Sequence, residues 1–546
     1  MPNSSLDRSG ALHRLRHDDF DVVVIGGGIT GAGVALDAAS RGLRTALVER
    51  DDFASGTSSK SSKLVHGGLR YLDQREFRLV HEGLAERQRV IENAPHLVSI
   101  LPFLVPVLRR GGAIDRRLAP FLGGALWMYD LVGGVRIGTR HRRITADEAL
   151  AHMPTLDRAR VSSGYVYFDA QADDARLTLA IIRTAASHGA AVANRARVVG
   201  FEKRNDAVVG VRVVASESNT DDEITVRARV VVNATGVWAD HVRAFDEGGH
   251  PSSITPAKGV HITVPWSRVR NDVAAIVPTA DDRRSVFVIP WGEHTYVGTT
   301  DTSFDGSIDE PRCTRDDITY LLRALNEVTT VHATEDDVIG TWAGLRPLLR
   351  APGRPRTTDL SRRHSVRTST SGVVTVTGGK LTTYRRMAAD AVDAAAHRLP
   401  GRVGPSCTKR LRLAGSEGID PPRAVLPTPG SSPSTRSVDE HLRGRYGADA
   451  AAVKSLARSI PDGGEPLVPG LPYLRAEAVY AVREEMALTL DDVLARRTRA
   501  RILDHSATVA AAPAVGALLA SELGWDSSTT DQEVARFVAL ANTDRW

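Results

Sequence analysis

The chain has 546 residues, 42% of them hydrophobic and 25% charged, a formal net charge of +5 and two cysteines, Cys313 and Cys407. That length exceeds what one hydrophobic core organises, so two or three domains of ordinary globular composition are expected. Two distant cysteines with no C-x-x-C pair argue against a disulfide framework and against a thiolate metal site, so no metal is expected and a reducing, cytosolic compartment fits.

Residues 1–19 are polar and basic and lack the apolar stretch of a signal peptide, which predicts a disordered tail. Asp21 to Glu49, DVVVIGGGITGAGVALDAASRGLRTALVE, then reads as a nearly complete dinucleotide-binding unit. Val22 to Ile25 suit a buried parallel strand, and Gly26, Gly28 and Gly31 supply G-x-G-x-x-G where the strand ends. Gly26 permits a tight turn, Gly28 lets backbone approach a pyrophosphate, and Gly31 lets the helix opened by Ile29 and Thr30 pack on the sheet. The free N–H groups of that helix face the phosphates. A second apolar strand, Thr45 to Val48, ends in Glu49, placed to hold ribose hydroxyls. The motif by itself leaves FAD and NAD open.

Thr57 to Leu72, TSSKSSKLVHGGLRYL, is a hydroxyl-rich loop directly after the ribose-binding strand. Thr57, Ser58, Ser61 and Ser62 are expected to donate to phosphates or to a flavin edge, with Leu64, His66, Gly67 and Gly68 close beneath a planar ring. Arg75 to Ala94 predicts a charged amphipathic helix. Leu118 to Val135 is the nearest approach to a membrane-spanning run, but Pro120, two Gly-Gly pairs and Asp130 interrupt it. Arg109, Arg110, Arg116 and Arg117 before it, and Arg136, Arg140, Arg142 and Arg143 after it, suit a segment lying on an anionic membrane. A buried helical hairpin with solvated ends fits the same pattern.

Arg229 to Ala239, RVVVNATGVWA, predicts a strand that returns to the cofactor at Ala234 and Gly236. Gly259 to Val264, Ser285 to Ile289 and Thr295 to Thr299 alternate as strands do, implying a substrate domain built around a sheet. Val373 to Met387 runs from a strand through Gly378-Gly379-Lys380 into a helix whose positive end faces the loop. Pro400 to Arg436 is rich in Pro, Gly and Ser and reads as a linker. His441 to Trp546 is helical in pattern, with Met486 to Asp504 as its clearest amphipathic stretch. The expected division is a discontinuous nucleotide domain (20–80, 160–245 and 340–399), a substrate or cap domain (81–159 and 246–339), a linker (400–436) and a helical C-terminal domain (437–546).

SSKLVHGGLRYL, NATGVWAD, FVIPWGEHTYVGTTD, AGLRPL and GGKLTTYRRMA, in this order, resemble the FAD-dependent glycerol-3-phosphate dehydrogenases, the quinone-linked flavoenzymes of glycerol catabolism. The resemblance runs from Phe20 to Arg412. It implies an α/β fold: a Rossmann-like FAD-binding domain of the D-amino-acid-oxidase type, a β-sheet substrate domain and a helical C-terminal domain. It implies a homodimer attached peripherally to the inner face of the cell membrane, oxidising glycerol 3-phosphate and passing electrons to a quinone. Matching letters assign the substrate site to Arg70, Tyr71, His261, Arg346 and Lys380, and FAD contacts to Gly379, Lys380, Leu381 and Thr382. Arg362 also aligns with a substrate position, although SRRHS departs there from the family's TRDY-like pattern.

Several cations suit a phosphomonoester, forked arginines best of all. Catalysis is expected from His261, as a base with an imidazole pKa near working pH, and from Arg70, Arg346 and Lys380 as stabilisers of developing charge. One rival keeps the substrate and sends electrons to oxygen. Another is a flavin-containing RNA-modifying or RNA-binding protein, but 5% aromatic residues and scattered arginines give it little support. No nucleic-acid partner is therefore expected.

Overall fold

The computed structural model describes residues 6–69, 76–109, 119–217, 220–249, 252–279, 284–350, 363–431 and 437–543. Two large sheets organise them. In the first, strands Val374–Gly378, Thr220–Asn233, Asp19–Ile25, Thr45–Val48 and Ala191–Ala193 lie parallel in that spatial order. Val22, Val23 and Val24 are fully buried because the strand they occupy has neighbours on both edges and layers on both faces. Helices Ile29–Ser40, Asp174–Ser187 and Tyr384–Ala396 cover one face.

The other face corrects the expectation of a disordered tail for residues 6–19, the described part of that segment. Arg8–His17 is a helix capped by Asp7, and its Ala11, Leu12 and Leu15 pack with Phe20, Val23 and Ile25 against the antiparallel hairpin Ala196–Arg204 and Ala207–Glu217. Three apolar side chains among basic ones suffice for a helix once a sheet face is there to receive them.

The second sheet has ten strands and includes Val98–Leu108, Val161–Ala172, Ile254–Pro265, Ser285–Trp291, His294–Gly298 and Gly340–Leu349. Val161–Ala172 and Gly340–Leu349 fall in segments read as nucleotide domain from the sequence, yet they pair here with Val98–Leu108 and Ile254–Pro265. The chain thus crosses between the sheets inside those segments. The predicted amphipathic helix is observed as Phe77–Asn93, and part of the predicted linker is tied down, with Leu413 N donating to Asn93 O at 2.8 Å.

The apolar stretch at 118–135 folds as helix Ala119–Val132 followed by a 3-10 turn. Leu126 and Tyr129 are buried, but Phe121 and Leu131 are each 76% exposed and Trp127 and Met128 are also exposed. That outward face excludes the buried-hairpin reading. Among the described residues, one helix is long and apolar enough to cross a membrane, His505–Leu523; Thr508, Ala512, Val515 and Leu519 bury one side of it against neighbouring C-terminal helices.

Met486–Asp504, expected as an amphipathic helix, is instead a left-handed turn at Met486, a π-helix at Asp492–Arg497 and a single helical turn at Ala500–Leu503. Its arginines decide this by pointing into the protein. Arg496 and Arg497 both reach the fully buried Asp52 at 2.6 Å, and Arg499 reaches Asp173 at 2.7 Å. A regular helix would spread these side chains around its axis; the π-bulge gathers them toward one acidic wall.

Candidate active site

A cavity of about 670 Å³ lies where the two sheets meet, within the range of small-molecule sites. Its first part is backbone. Gly26 has φ +106°, and a Cβ there would lie 2.8 Å from Ala234 O, so the turn closes directly on the returning strand. Gly28, Ile29, Thr30, Ala234 and Gly236 line the cavity. Gly31 does not: its Cβ would fall 1.9 Å from Gly26 O, so its role is to seat the helix. Ser58 Oγ accepts from Ile29 N at 2.9 Å and keeps its own O–H for an anion at the helix start.

Glu49 lines the same wall and accepts from Gly27 N at 2.6 Å and Asp51 N at 2.8 Å. Burial outweighs those two hydrogen bonds and raises its carboxyl pKa to about 7. Further lining comes from Arg197 to Val199 on the hairpin, which no motif marked, and from Trp238 of NATGVWAD, with the Arg50 guanidinium 5.1 Å from its ring centre.

Most of the predicted hydroxyl donors are engaged within the protein. Thr57 Oγ1 donates to Leu345 O at 2.6 Å, Ser61 Oγ donates to Asp174 at 2.6 Å, and Ser62 Oγ lies 2.8 Å from His261 Nε2. These side chains line the cavity, but Thr57 and Ser61 serve to shape the loop and not to donate outward. Leu64 and His66 also line it; Gly67 and Gly68 do not. Gly67 N donates to Tyr129 OH, and a Cβ there would meet Leu84 at 2.5 Å.

The remaining wall comes from pairing Ile254–Pro265 with Gly340–Leu349. His261 lies opposite Trp342, Gly259 opposite Gly344 and Ala257 opposite Arg346, so all six share one face. Between the imidazole at one end and the guanidinium at the other, the two glycines let protein atoms pack directly onto the strands. A Cβ on Gly259 would meet Arg346 at 2.5 Å, and one on Gly344 would meet Lys60 O at 2.6 Å. On the next strand Gly298 is required too, because its Cβ would lie 2.1 Å from the His261 ring.

Arg346 is held by Thr299 Oγ1 at 3.0 Å, by Thr300 O at 3.1 Å and by the Asp301 carboxylate at 3.3 Å. His261 stacks on Trp342 with ring centres 4.6 Å apart and planes 7° from parallel. Its expected ordinary pKa is corrected: burial first, then the charges of Lys63 and Arg346, hold the imidazole well below the usual histidine range. His261 is therefore neutral, and its Nδ1 is buried with no hydrogen-bond partner.

Gly379, Lys380, Leu381 and Thr382 close the cavity from the first sheet, with Thr382 Oγ1 accepting from His66 N at 3.1 Å. Gly379 has φ +80°, and a Cβ would strike the Met387 sulfur at 2.3 Å. Lys258, in the same motif as His261, turns away and pairs with Asp317 at 2.6 Å. Arg70, Tyr71 and Arg362 lie outside the described residues.

Residues 21–385 match the model of the FAD-dependent oxidoreductases, and 406–530 match the C-terminal domain of alpha-glycerophosphate oxidase. The chain is 44% identical to glycerol-3-phosphate dehydrogenase of Mycobacterium leprae, over 98% of this chain and 90% of that one. It is 38% identical to human mitochondrial glycerol-3-phosphate dehydrogenase, over 94% of this chain and 72% of the other. The solved FAD complex of the Bacillus halodurans glycerol-3-phosphate dehydrogenase superposes with a TM-score of 0.78 at 31% identity, covering 100% of this chain and 99% of that one.

The chain belongs to the FAD-dependent glycerol-3-phosphate dehydrogenases.

It is an oxidoreductase with FAD as cofactor, and the residues present fit that group. The open approach at Gly28, the helix start beside Ser58 and the half-buried Glu49 carboxylate would take the pyrophosphate and ribose, as in other dinucleotide sites. The loops at Ser61 to His66 and Gly379 to Thr382 would flank the flavin ring. Trp342 and Lys63 were missed in the sequence. The only signal for Trp342 was its place two residues before Gly344, which puts it on the same strand face as Arg346.

Proposed function

We propose that the protein oxidises sn-glycerol 3-phosphate to dihydroxyacetone phosphate and passes the electrons to a membrane quinone. The observation that carries this reading is the strand-paired face that sets neutral His261 at one end and Arg346 at the other, both lining the cavity that fits FAD. FAD, when bound, supplies the two-electron acceptor for the hydride that leaves C2. Arg346 and Lys380, with Arg70, supply cations for the phosphate.

His261 Nε2 accepts the C2 hydroxyl proton when the substrate replaces Ser62 Oγ as its hydrogen-bonding neighbour. Burial lowers the pKa of His261 most; an arriving phosphate offsets only the further lowering by the Lys63 and Arg346 charges. Burial against Trp342 keeps water from competing for the proton.

The exposed Phe121, Trp127, Met128 and Leu131, beside exposed Arg136, Arg140, Arg142 and Arg143, support peripheral attachment to the inner face of an anionic membrane. A homodimer with each protomer so attached completes the reading. The decisive experiment is anaerobic: glycerol 3-phosphate bleaches the flavin band and glycerol does not. An unbleached, flavin-loaded sample sinks the substrate assignment.

The oxidase name of the C-terminal domain model favours a second acceptor, oxygen, which peroxide yield under air compared with quinone reduction separates. Replacing Phe121 and Leu131 with serine is expected to abolish flotation with anionic vesicles while leaving flavin reduction intact. Retained flotation would remove this helix as the anchor.

A further inference from the structure

We propose that Arg499, in the C-terminal region, is a positioning residue for His261: it fixes the Ser59–Lys63 loop against the imidazole and makes the C-terminal region part of the catalytic apparatus. The inference rests on reading His261 as the base.

Arg499 is 1% exposed and sits at the centre of a buried cluster. Its guanidinium donates to Asp173 at 2.7 Å, to Asp174 and to Ser59 O at 3.3 Å. Asp174 in turn accepts from Ser61 N at 3.0 Å, from Ser61 Oγ at 2.6 Å and from the Lys63 ammonium at 3.2 Å. Apart from Ala495 O, which Arg499 also reaches at 3.1 Å, these partners belong to the loop or to the acids that hold it.

The far side of the same loop meets the active site. Trp342 Nε1 donates to Ser61 O at 3.1 Å, Tyr296 OH donates to Ser62 O at 2.9 Å, and Ser62 Oγ is the 2.8 Å neighbour of His261 Nε2. The Lys63 ammonium lies 4.9 Å from the centre of the Trp342 ring, the ring on which His261 stacks. Lys63 also holds a left-handed backbone, φ +55°, which a non-glycine residue keeps only when its surroundings enforce it. The enforcing contacts are Asp174 on its ammonium and Ala172 N on its carbonyl oxygen at 2.9 Å.

The forked guanidinium is the part that no other side chain supplies. It spans two adjacent carboxylates and a carbonyl at once, whereas a lysine at 499 would satisfy one of them as a point charge. Asp174 would then be free to draw Lys63 and Ser61 toward itself, shifting the Trp342 ring that Ser61 O holds and on which His261 stacks. Displacements on the order of 1 Å at a proton-transfer site cost rate without costing substrate affinity. The phosphate cation Arg346 is held by other groups: the Lys258 and Thr300 carbonyls, Thr299 Oγ1 and Asp301.

The test uses full-length, flavin-loaded protein carrying Arg499→Lys, Asp174→Asn or both. Each single variant is expected to slow anaerobic flavin reduction by glycerol 3-phosphate about ten- to a hundredfold, while substrate affinity shifts less than about twofold. Because both changes break one chain of contacts, the double variant should be no slower than the slower single variant. The Ser61 amide, released from Asp174, should exchange hydrogen faster in each. Arg483→Ala, which removes a surface pair with Glu522, should change nothing.

Wild-type reduction rates in folded variants overturn the proposal, and so do losses that multiply in the double. If Arg499→Lys does not fold, Asp174→Asn carries the same test. If wild-type protein is not reduced by glycerol 3-phosphate, the functional reading fails; unchanged Ser61 exchange in the variants would separately overturn the positioning claim.

Discussion

From Gly26 to Glu49 the cavity wall is mostly backbone from one continuous stretch, whereas from Gly259 to Arg346 it is side chains on paired strands more than 70 residues apart in sequence. The first wall recognises charge through N–H groups and a helix start, so its precision depends on glycines that let atoms come close. The second recognises through an imidazole and a guanidinium, and its glycines let the Arg346 guanidinium and the Lys60 carbonyl pack onto the strands. The same residue type therefore permits close approach in both walls, of backbone to backbone in the first and of Arg346 and the Lys60 carbonyl to the strands in the second.

Substitutions should separate the walls. The largest effect is expected from Gly31→Val, whose added atoms collide with Gly26 O; the protein should be recovered without flavin, as read by absorbance per chain. Normal flavin content would show that the helix can retreat and that the turn is not close-packed. His261→Ala should keep its flavin yet lose about 10²- to 10⁴-fold in the rate of its reduction, the range for a removed proton acceptor. A wild-type rate would assign the base elsewhere.

Arg346→Lys should be milder, raising KM for glycerol 3-phosphate about tenfold with flavin content unchanged, because one ammonium replaces a fork. A loss in flavin content instead would join Arg346 to the nucleotide wall. The smallest effect is expected at Glu49. Its folded pKa of about 7 lies above the ordinary 4.5, so the cofactor-free fold holds a proton that the unfolded chain has released. Stability from this group is present at low pH and is lost as pH rises from about 4.5 to about 7.

Ribose hydroxyls donate to the ionised form, so FAD affinity should rise with pH across the same window. Glu49→Gln should flatten that dependence and weaken FAD about fivefold above neutral pH, the difference between a charged and a neutral acceptor. A pH profile identical to wild type would remove Glu49 from the site.

Legibility in the sequence followed the same line between local and distant. Gly26, Gly28, Gly31 and Glu49 could be read because strand, turn, helix and acid are contiguous, and each role follows from reach along a short chain. His261 and Arg346 were found through recognisable motifs, but their common face could not be, since it depends on the register that sets Gly259 against Gly344. The hydroxyl loop misled for a related reason: Thr57 and Ser61 are polar enough to serve a ligand, and only their neighbours Leu345 and Asp174 show that the protein uses them.

The N-terminal helix and the Met486–Asp504 segment failed in opposite directions. The first carries too few apolar residues to predict a helix, and the second carries an amphipathic pattern that the structure breaks to pair its arginines with Asp52, Asp173 and Asp174. Composition and local pattern were enough to establish a dinucleotide fold, because backbone chemistry within about 30 residues specifies it. The state of His261, the pairing of Arg499 and the outward face of Ala119–Val132 arose from packing. Burial, distant charges and strand register act across space, and no window of sequence contains them.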